Sequence, residues 1–420
     1  MRYFLLFCLF YLDLNAQKAY TLEECIETAF RQSPDIQLQN LVTLQASDAY
    51  SYSKKNIYPT VSGNFSQGMN GGRSIDPFTN SFIQRSISSN SIGVGTNLTI
   101  FNGFALKNQI ALNKNGFDTE KMQMLLRKKE LKTNVILAFM QVLITQELLK
   151  ISQEQRKDLE SQLEVLKEKV KEGILPKSQI SDFEAQIANV FFEEYSAKNN
   201  LELAKLNLSQ WLGFSSKTAI EVKDLKNTIP KTWEFSNMHP AQKILDLKCT
   251  EAKLGKRIAE AAKYPTLSLN GGFGSAYSSA AASEFSYFNQ INYNFNQYLR
   301  LGLNIPIYSN GQIKAKIANA TIQEQIVKKQ MDQQNLKLNQ EFEKQKMEIA
   351  LLTEKLKFSE TNLRIQNKAY LAAKERFTEG TINSLELSTF RISVEKAKVM
   401  QIQTQIELNY KALLLETFLE

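Results

Sequence analysis

Two kinds of hydrophobic pattern alternate along the chain, one helical and one typical of strands. Helical spacing runs from about Thr21 to Asn56, over about 105–171 and again over about 313–378. Shorter helical segments follow each of the two longest ones. At about 1.5 Å per residue, each of the longest helices would be on the order of 100 Å long. A globular core built by 420 residues does not accommodate such helices, so they need lateral support.

A seven-residue apolar repeat in both long segments predicts that support. Apolar residues recur at alternating steps of four and three, and the second segment repeats the register of the first. The first set is Leu131, Val135, Ala138, Val142, Leu149, Leu159, Leu163, Leu166 and Val170; the second is Leu338, Phe342, Ile349, Leu352, Leu356, Leu363, Tyr370, Ala373 and Phe377. This spacing indicates left-handed supercoiling against neighbouring helices. Taken alone, it favours a soluble coiled coil over a channel.

Four segments, at about 60–69, 91–100, 266–277 and 299–307, alternate apolar with small or polar residues. Such alternation over about ten residues is typical of transmembrane barrel strands, although a soluble sheet with one buried face also produces it. Four strands cannot close a barrel, which takes about eight. An open edge in lipid leaves unpaired backbone groups that cost several kcal/mol each. A barrel would therefore need several chains, and two or three copies both satisfy this requirement.

The second half of the chain repeats landmarks of the first at one offset. Pro34 and Pro240 are 206 residues apart, and Gly173 and Gly380 are 207 apart. We therefore predict an internal duplication, with a first repeat at 17–212, a linking segment at 213–237 and a second repeat at 238–420. Each repeat is expected to contain a helix, two strands, a long helix and a shorter helix.

The N-terminus, residues 1–16, is predicted to be a signal peptide. Arg2 supplies its positive charge, an apolar run follows, and Ala16 is the small residue before the expected cleavage point. Beyond it, no stretch approaches the roughly 18 consecutive apolar residues of a membrane helix. The mature chain is thus expected in the periplasm, outside the cell or inserted as strands. Its cysteines, Cys25 and Cys249, are expected to be buried thiols or one disulfide.

Charge and rare residues exclude several classes of function. The formal net charge is +8, but Lys and Arg alternate with Glu and Asp, which predicts solvated helix faces and no nucleic-acid partner. The single histidine, His239, is expected to cap a helix or lie in a turn. With so few His and Cys residues we expect no zinc site and no Ser-His-Asp set. No enzyme activity, metal or cofactor is predicted.

Taken in order, the motifs resemble the TolC-like outer membrane factor family over essentially the whole mature chain. The motifs are YTLEECI at 20–26, SP at 33–34, YPTV at 58–61, KEGI at 171–174 and RFTEGT at 376–381. The resemblance implies a mainly α fold with a β-barrel part. Three identical subunits would form one twelve-stranded barrel in the outer membrane of a Gram-negative cell, and their coiled-coil helices would continue as a tunnel into the periplasm.

The same resemblance implies a function and partners. The chain would be one subunit of a passive export duct in a tripartite efflux or secretion system, with a periplasmic adaptor (membrane fusion protein), an inner-membrane transporter and outer-membrane lipid as partners. The alternative is a structural or adhesive coiled-coil protein of the cell surface or periplasm. The residues do not name the exported cargo or the class of transporter.

The resemblance also assigns roles at the two helical tips. The adaptor-contacting positions are Gly173, Ile174, Gly380 and Thr381. The periplasmic entrance is assigned to Gln179, Asp182, Glu386, Thr389, Phe377 and Ile382. Two acids per subunit would give a trimer six converging carboxylates that attract cations; alternatively, both acids interact only with their helix dipoles. Phe377 and Ile382 stand where other members have a polar latch, so closure is expected to rest on apolar packing by these two and Leu385.

Overall fold

The computed structural model describes residues 19–75, 80–214, 220–223, 239–280 and 286–419. The predicted signal peptide and most of the predicted linking segment lie outside these ranges. The elements, in chain order, are β1 (Ala19–Tyr20), α1 (Leu22–Gln32), α2 (Pro34–Lys55), β2 (Thr60–Asn70), β3 (Arg73–Ile75), β4 (Phe82–Gln84), β5 (Ile87–Asn102), α3 (Ala105–Lys171), α4 (Ser178–Trp211), β6 (Glu221–Val222), α5 (Pro240–Ala261), β7 (Thr266–Ser278), α6 (Tyr287–Tyr293), β8 (Asn296–Asn304), α7 (Gln312–Thr378) and α8 (Ser384–Leu419).

The chain forms two compact units, and each draws on both halves of the sequence. One unit is assembled from Met1–Asn40, Gln123–Ala241 and Gln334–Glu420, and the other from Leu41–Met122 and Gln242–Gln333. Among the described residues, the first contains helices and the small β1–β6 sheet, while the second contains the four long strands. The chain is therefore mainly helical, with its long strands collected in one unit.

The four long strands form one antiparallel sheet in the order β2-β5-β7-β8. The register places the alternating residues of all four strands on common faces: Phe65 pairs with Ile92, and Gly271 with Leu299. One face carries apolar side chains on every strand, namely Val61, Phe65, Met69, Ile92, Val94, Leu98, Leu269, Phe273, Leu299, Leu301 and Leu303. The other carries mainly Ser, Asn and Gly. The predicted alternation is thus preserved across the whole sheet.

The predicted long helices are confirmed, since α3 and α7 each have 67 residues. The predicted seam is also confirmed: most of its residues are buried and the rest half-buried, and Val135 and Val142 are fully buried. In the first unit, α1, α3 and α4 pack around Cys25, Phe139 and Leu208. The core of the helical unit therefore follows the heptad positions read from the sequence.

The expected single helix from Thr21 to Asn56 is in fact two helices, α1 and α2. Thr21 and Glu24 form a capping box that starts α1. Ser33 then adopts an extended conformation with ψ of 123°, and Pro34 begins α2. A residue before proline disfavours the helical region, while proline itself is well suited to a first helical position. The Ser33–Pro34 pair therefore ends α1 and begins α2.

The two connections within the pairs of long strands contain structure of their own. A short hairpin, β3–β4, follows β2, and α6 precedes β8.

A separate two-stranded sheet is formed by β1, which pairs in parallel with β6 and joins Ala19–Tyr20 to Glu221–Val222 inside the predicted linking segment. The last strand ends at Asn304, so Ile305 to Ile307 lie beyond it although the alternation predicted them within it.

Cys25 and Cys249 are both buried and free. Burial, with the nearby charges of Glu24 and Glu23, raises the pKa of the Cys25 thiol to about 12, so this thiol stays protonated. Nδ1 of His239 accepts a hydrogen bond from the backbone N–H of Ala241 at 3.2 Å, which confirms the predicted capping role at the start of α5. Burial lowers the pKa of His239 to about 4, which keeps the imidazole neutral and able to accept that bond.

Among the described helices, α3 is long and apolar enough to cross a membrane by length and composition. Just over half of the qualifying stretch is buried within the chain, as in the core helix of a soluble protein. We therefore assign this stretch to the helical core.

Candidate channel entrance

Each of the two long helices turns into its shorter partner through the same backbone motif. At the first tip, the N–H of Gly173 bonds to the carbonyl of Val170, and that of Ile174 to Lys169. At the second, the N–H groups of Gly380 and Thr381 bond to Phe377 and Arg376. These are Schellman caps, which require a left-handed residue; the φ angles of Gly173 and Gly380 are +79° and +76°. The two predicted tip glycines therefore hold equivalent positions.

Apolar side chains of the two tips pack together within the chain. The rings of Phe183 on α4 and Phe377 on α7 lie 6.2 Å apart. Ile382 is buried against Ala373 and Leu387. Of the three apolar residues expected to close an entrance, Phe377 and Ile382 therefore belong to an apolar core formed within the single chain. Only Leu385, with 72% of its surface exposed, projects freely.

The predicted acids lie on the surface next to the start of α8. The hydroxyl of Ser384 lies 3.5 Å from Oδ2 of Asp182, joining the first hairpin to the second. Asn383 caps α8 by accepting a hydrogen bond at 2.9 Å from the N–H of Glu386, which places Glu386 in the first helical turn. Both carboxylates are exposed. The carboxylate of Glu386 can therefore interact with the dipole of α8 and still face the solvent, where it could attract cations.

The other predicted positions are less prominent. Thr389 is exposed, but its hydroxyl donates to the carbonyl of Leu385 on its own helix. Gln179 is half-buried. Ile174 and Thr381, at the tips, are exposed, as a docking surface requires. The structure thus gathers the predicted entrance residues around one pair of tips, with the acids and tip residues outside and the two apolar ones inside.

A polar link between α3 and α7, a few turns from the tips, was missed by the sequence analysis. The hydroxyl of Tyr370 donates to Asp158 at 3.1 Å, and Gln162 donates to Asp158 at 2.6 Å and to the Tyr370 oxygen at 3.1 Å. Nζ of Lys169 also donates to the carbonyl of Thr378 at 3.1 Å. Burial raises the pKa of Tyr370 to about 12, so its hydroxyl remains a donor. The available signal was a hydroxyl on an otherwise apolar seam.

A buried arginine on α8 was missed as well. Arg391 is 7% exposed and donates to Gln186 at 3.2 Å and to Ser388 at 3.4 Å. Its Nε lies 3.6 Å from Oε1 of Glu395, whose pKa is raised by burial. Within the described part of the chain, Nε and Nη1 of Arg391 have no hydrogen-bond acceptor. The signal was an arginine one helical turn after Leu387, which is itself buried.

In the part of the chain that the structure describes, no three His, Cys, Asp or Glu residues are grouped as they would be to hold a metal ion. The arrangement at the tips consists of capped turns, an apolar core and surface carboxylates. Such an arrangement can dock a partner, change shape or attract ions.

Three solved structures with the same fold are described as outer membrane proteins or channels. The outer membrane protein VceC of Vibrio cholerae matches with a TM-score of 0.82 and 14% identity, covering 95% of each chain. The outer-membrane channel OprN matches at 0.81 and 15%, covering 95% of this chain and 89% of its own. The CmeC outer membrane channel of Campylobacter jejuni matches at 0.79 and 15%, covering 95% and 84%. Comparison with curated protein sequences gave no significant match.

The family comparison covers most of the chain in two blocks. Residues 25–214 and 248–415 match the family described as outer membrane efflux protein. The two blocks correspond to the two halves of the chain and include both tips and all four long strands. The chain belongs to the outer membrane efflux protein family, and it is a TolC-like protein of the outer membrane that extends into the periplasm.

Proposed function

We propose that the chain is one subunit of a homotrimeric export channel, a passive duct across the periplasm and outer membrane in a tripartite efflux or secretion system. The observation that carries this proposal is the four-stranded sheet, which has a mainly apolar outer face and two edge strands that each pair on one side only. Membership of the efflux protein family supports it. The sheet is explained by lipid on one side and further copies at its edges.

The apolar face of the sheet is exposed in the single chain. Phe65 is 66% exposed, and Leu299, Leu301 and Leu303 are exposed to similar or greater degrees. At about 3.4 Å per residue, the 11 residues of β2 span ~37 Å; tilted by about 45°, a strand of that length crosses an apolar band of about 25 Å. Water would not stabilise so continuous an apolar surface, whereas lipid does.

The edge strands determine how copies would combine. β2 and β8 each pair on one side only, so each leaves a row of backbone groups without partners in the sheet. Because all pairings in the sheet are antiparallel, β8 of one copy runs opposite to β2 of the next and can pair with it in the same way. Three copies then give the twelve strands proposed here, in a ring without edges.

The helices carry a second apolar stripe, which is exposed in the single chain. On α7, Leu351, Phe358 and Ile365 are seven residues apart and exposed, on the face opposite the internal seam. On α4, Phe191, Phe192 and Tyr195 are exposed too. A seven-residue repeat predicts contact with a further helix. In a trimer, twelve helices would close into a tunnel through such contacts.

The equal lengths of α3 and α7, together with the paired tip motifs, support the proposed duplication, with repeats at 17–212 and 238–420 around a linking segment at 213–237. Residues 1–16 are proposed to be removed on export.

The adaptor is proposed to dock at Gly173, Ile174, Gly380 and Thr381. Opening would be an outward shift of the tip helices selected by adaptor binding, because the chain has no energy source of its own.

Replacing both Asp182 and Glu386 by alanine is expected to reduce the preference of the channel for cations and to weaken block by multivalent cations. The reason is that six exposed carboxylates in a trimer would otherwise concentrate cations at the entrance. The measurement is the reversal potential of purified channels in planar bilayers under a salt gradient. Glu379→Ala with Glu172→Ala, acids at the turns themselves, is the control. Unchanged selectivity in the first double variant would argue against the ring.

The test of the proposed function is the mass of the unheated protein extracted by detergent from an outer-membrane fraction. A trimeric mass, converted to a monomer by heating, is expected. Protein released from cells without detergent, whatever its number of copies, would overturn the channel and favour a coiled-coil protein of the cell surface or periplasm.

A further inference from the structure

The short helix α6 is fastened to the apolar face of the sheet at the end remote from the long helices. Three residues of β7 that share this face contact the α6 segment. The hydroxyl of Ser275 donates to the carbonyl of Ile291, and the ring of Tyr277 lies 4.9 Å from that of Tyr287. The ring of Phe273 lies 6.3 Å from that of Phe295, just after the helix. The α6 segment therefore covers the outward side of the sheet.

The same segment completes the edge of β7 where β8 stops. Pairing between β7 and β8 ends at Gly274 and Asn296. Beyond that point, Asn294 donates to the carbonyl of Ala276 at 2.7 Å, and Gln290 accepts from the N–H of Ser278 at 3.0 Å. Gln290 is 2% exposed and Ser286 caps the helix. These bonds fix α6 in place, so its outer surface has a defined orientation.

The outer surface of α6 carries aromatic side chains without charge. Phe288 and Tyr293 are 81% and 78% exposed, and Phe295 beside them is also exposed. From Ser286 to Tyr298 the sequence contains no Asp, Glu, Lys or Arg. Aromatic residues with a polar tip or polar neighbours favour the boundary between headgroups and acyl chains. Asn289 and Asn292 supply the polar neighbours here.

We infer that α6 is a membrane-interface anchor, lying against the lipid at the outer end of the barrel with Phe288, Tyr293 and Phe295 at headgroup depth. This inference rests on the proposed function, because the face that α6 continues must itself be the lipid-facing one. The continuity of the two surfaces selects lipid as the occupant: the apolar face of β7 runs directly beneath the helix. The anchor would set the depth of each subunit in the membrane.

The experiment uses single tryptophan reporters in the complete chain. The two native tryptophans, Trp211 and Trp233, are replaced by phenylalanine, and Phe288→Trp is introduced. The trimer is reconstituted in phosphatidylcholine vesicles whose acyl chains are brominated either near the headgroup or near the methyl end. Leu301→Trp on the apolar face and Tyr298→Trp on the opposite face are the matched controls. Tyr293→Trp is a second reporter on the same helix.

At Phe288→Trp and Tyr293→Trp we expect a larger loss of emission in lipid brominated near the headgroup than near the methyl end, and protection from iodide in the water. Leu301→Trp should be quenched by brominated lipid and Tyr298→Trp should not. If Leu301→Trp is quenched but both α6 reporters respond only to iodide, the anchor is wrong and the barrel stands. If Leu301→Trp also escapes brominated lipid, the barrel itself is wrong.

Discussion

An arginine at Phe65 is expected to prevent assembly of the chain in the outer membrane, whereas an arginine at the next residue, Ser66, is expected to be tolerated. The two positions lie at the middle of β2 on opposite faces of the sheet. On the lipid face of a barrel, an arginine at the bilayer midplane costs about 2–4 kcal/mol. A trimer carries three such arginines, so the free energy of the membrane-inserted trimer should become less favourable by ~6 kcal/mol or more. On the other face the same charge would point into the water-filled lumen of the proposed channel.

The Ser66 variant isolates the effect of the face from the effect of the charge. Ser66→Arg removes the hydroxyl contact with Ser91 at 2.8 Å, an interaction worth only about 1 kcal/mol. The measurement is the amount of heat-dissociable trimer in the outer-membrane fraction for each variant. Equal trimer levels for both variants would contradict a lipid-facing sheet.

An aspartate at Phe358 is expected to separate the subunits along their helices. Phe358 is 73% exposed and lies at the centre of the outer stripe of α7, while the internal seam on the opposite face is untouched. Burying a phenylalanine contributes about 1.5–3 kcal/mol, and a buried unpaired carboxylate adds a further cost. We expect Phe358→Asp to lower the temperature at which the trimer dissociates in detergent by much more than any substitution away from the stripe.

Thr353→Asp provides the comparison, because this substitution introduces the same charge on another exposed face of the same helix. The fold of each subunit is followed separately by helical circular dichroism, which should be unchanged in both variants. Dissociation temperatures that fall equally for Phe358→Asp and Thr353→Asp would show that the stripe is not the contact between subunits.

The elements that were predicted from sequence are those with long, uniform patterns. The heptads of α3 and α7 and the alternation of the four long strands set both the type and nearly the bounds of each element. The exceptions depend on single residues or distant partners. One Ser-Pro pair divides α1 from α2, and the two-residue strands β1 and β6 pair across about 200 residues without any periodic signal.

At the tips, backbone features were easier to predict than side-chain contacts. Gly173 and Gly380 were identifiable because a left-handed cap selects glycine. The link from Asp158 to Tyr370 and the burial of Arg391 depend on the rotation of one helix against another. Heptad spacing says which residues face a neighbour, but not which neighbouring residue each one meets. The inward placement of Phe377 and Ile382 has the same origin.

The order of pairing in the sheet has a consequence for biogenesis. β2 and β5 lie close in sequence, so their hairpin can form as soon as both are exported. The central pairing of β5 with β7 instead joins residues such as Asn97 and Asn270, which are 173 positions apart. Contacts so distant in sequence form slowly, because a long loop must close first. We expect the first hairpin to wait, apolar face exposed, until the second half of the chain arrives, which makes it the segment most in need of a chaperone.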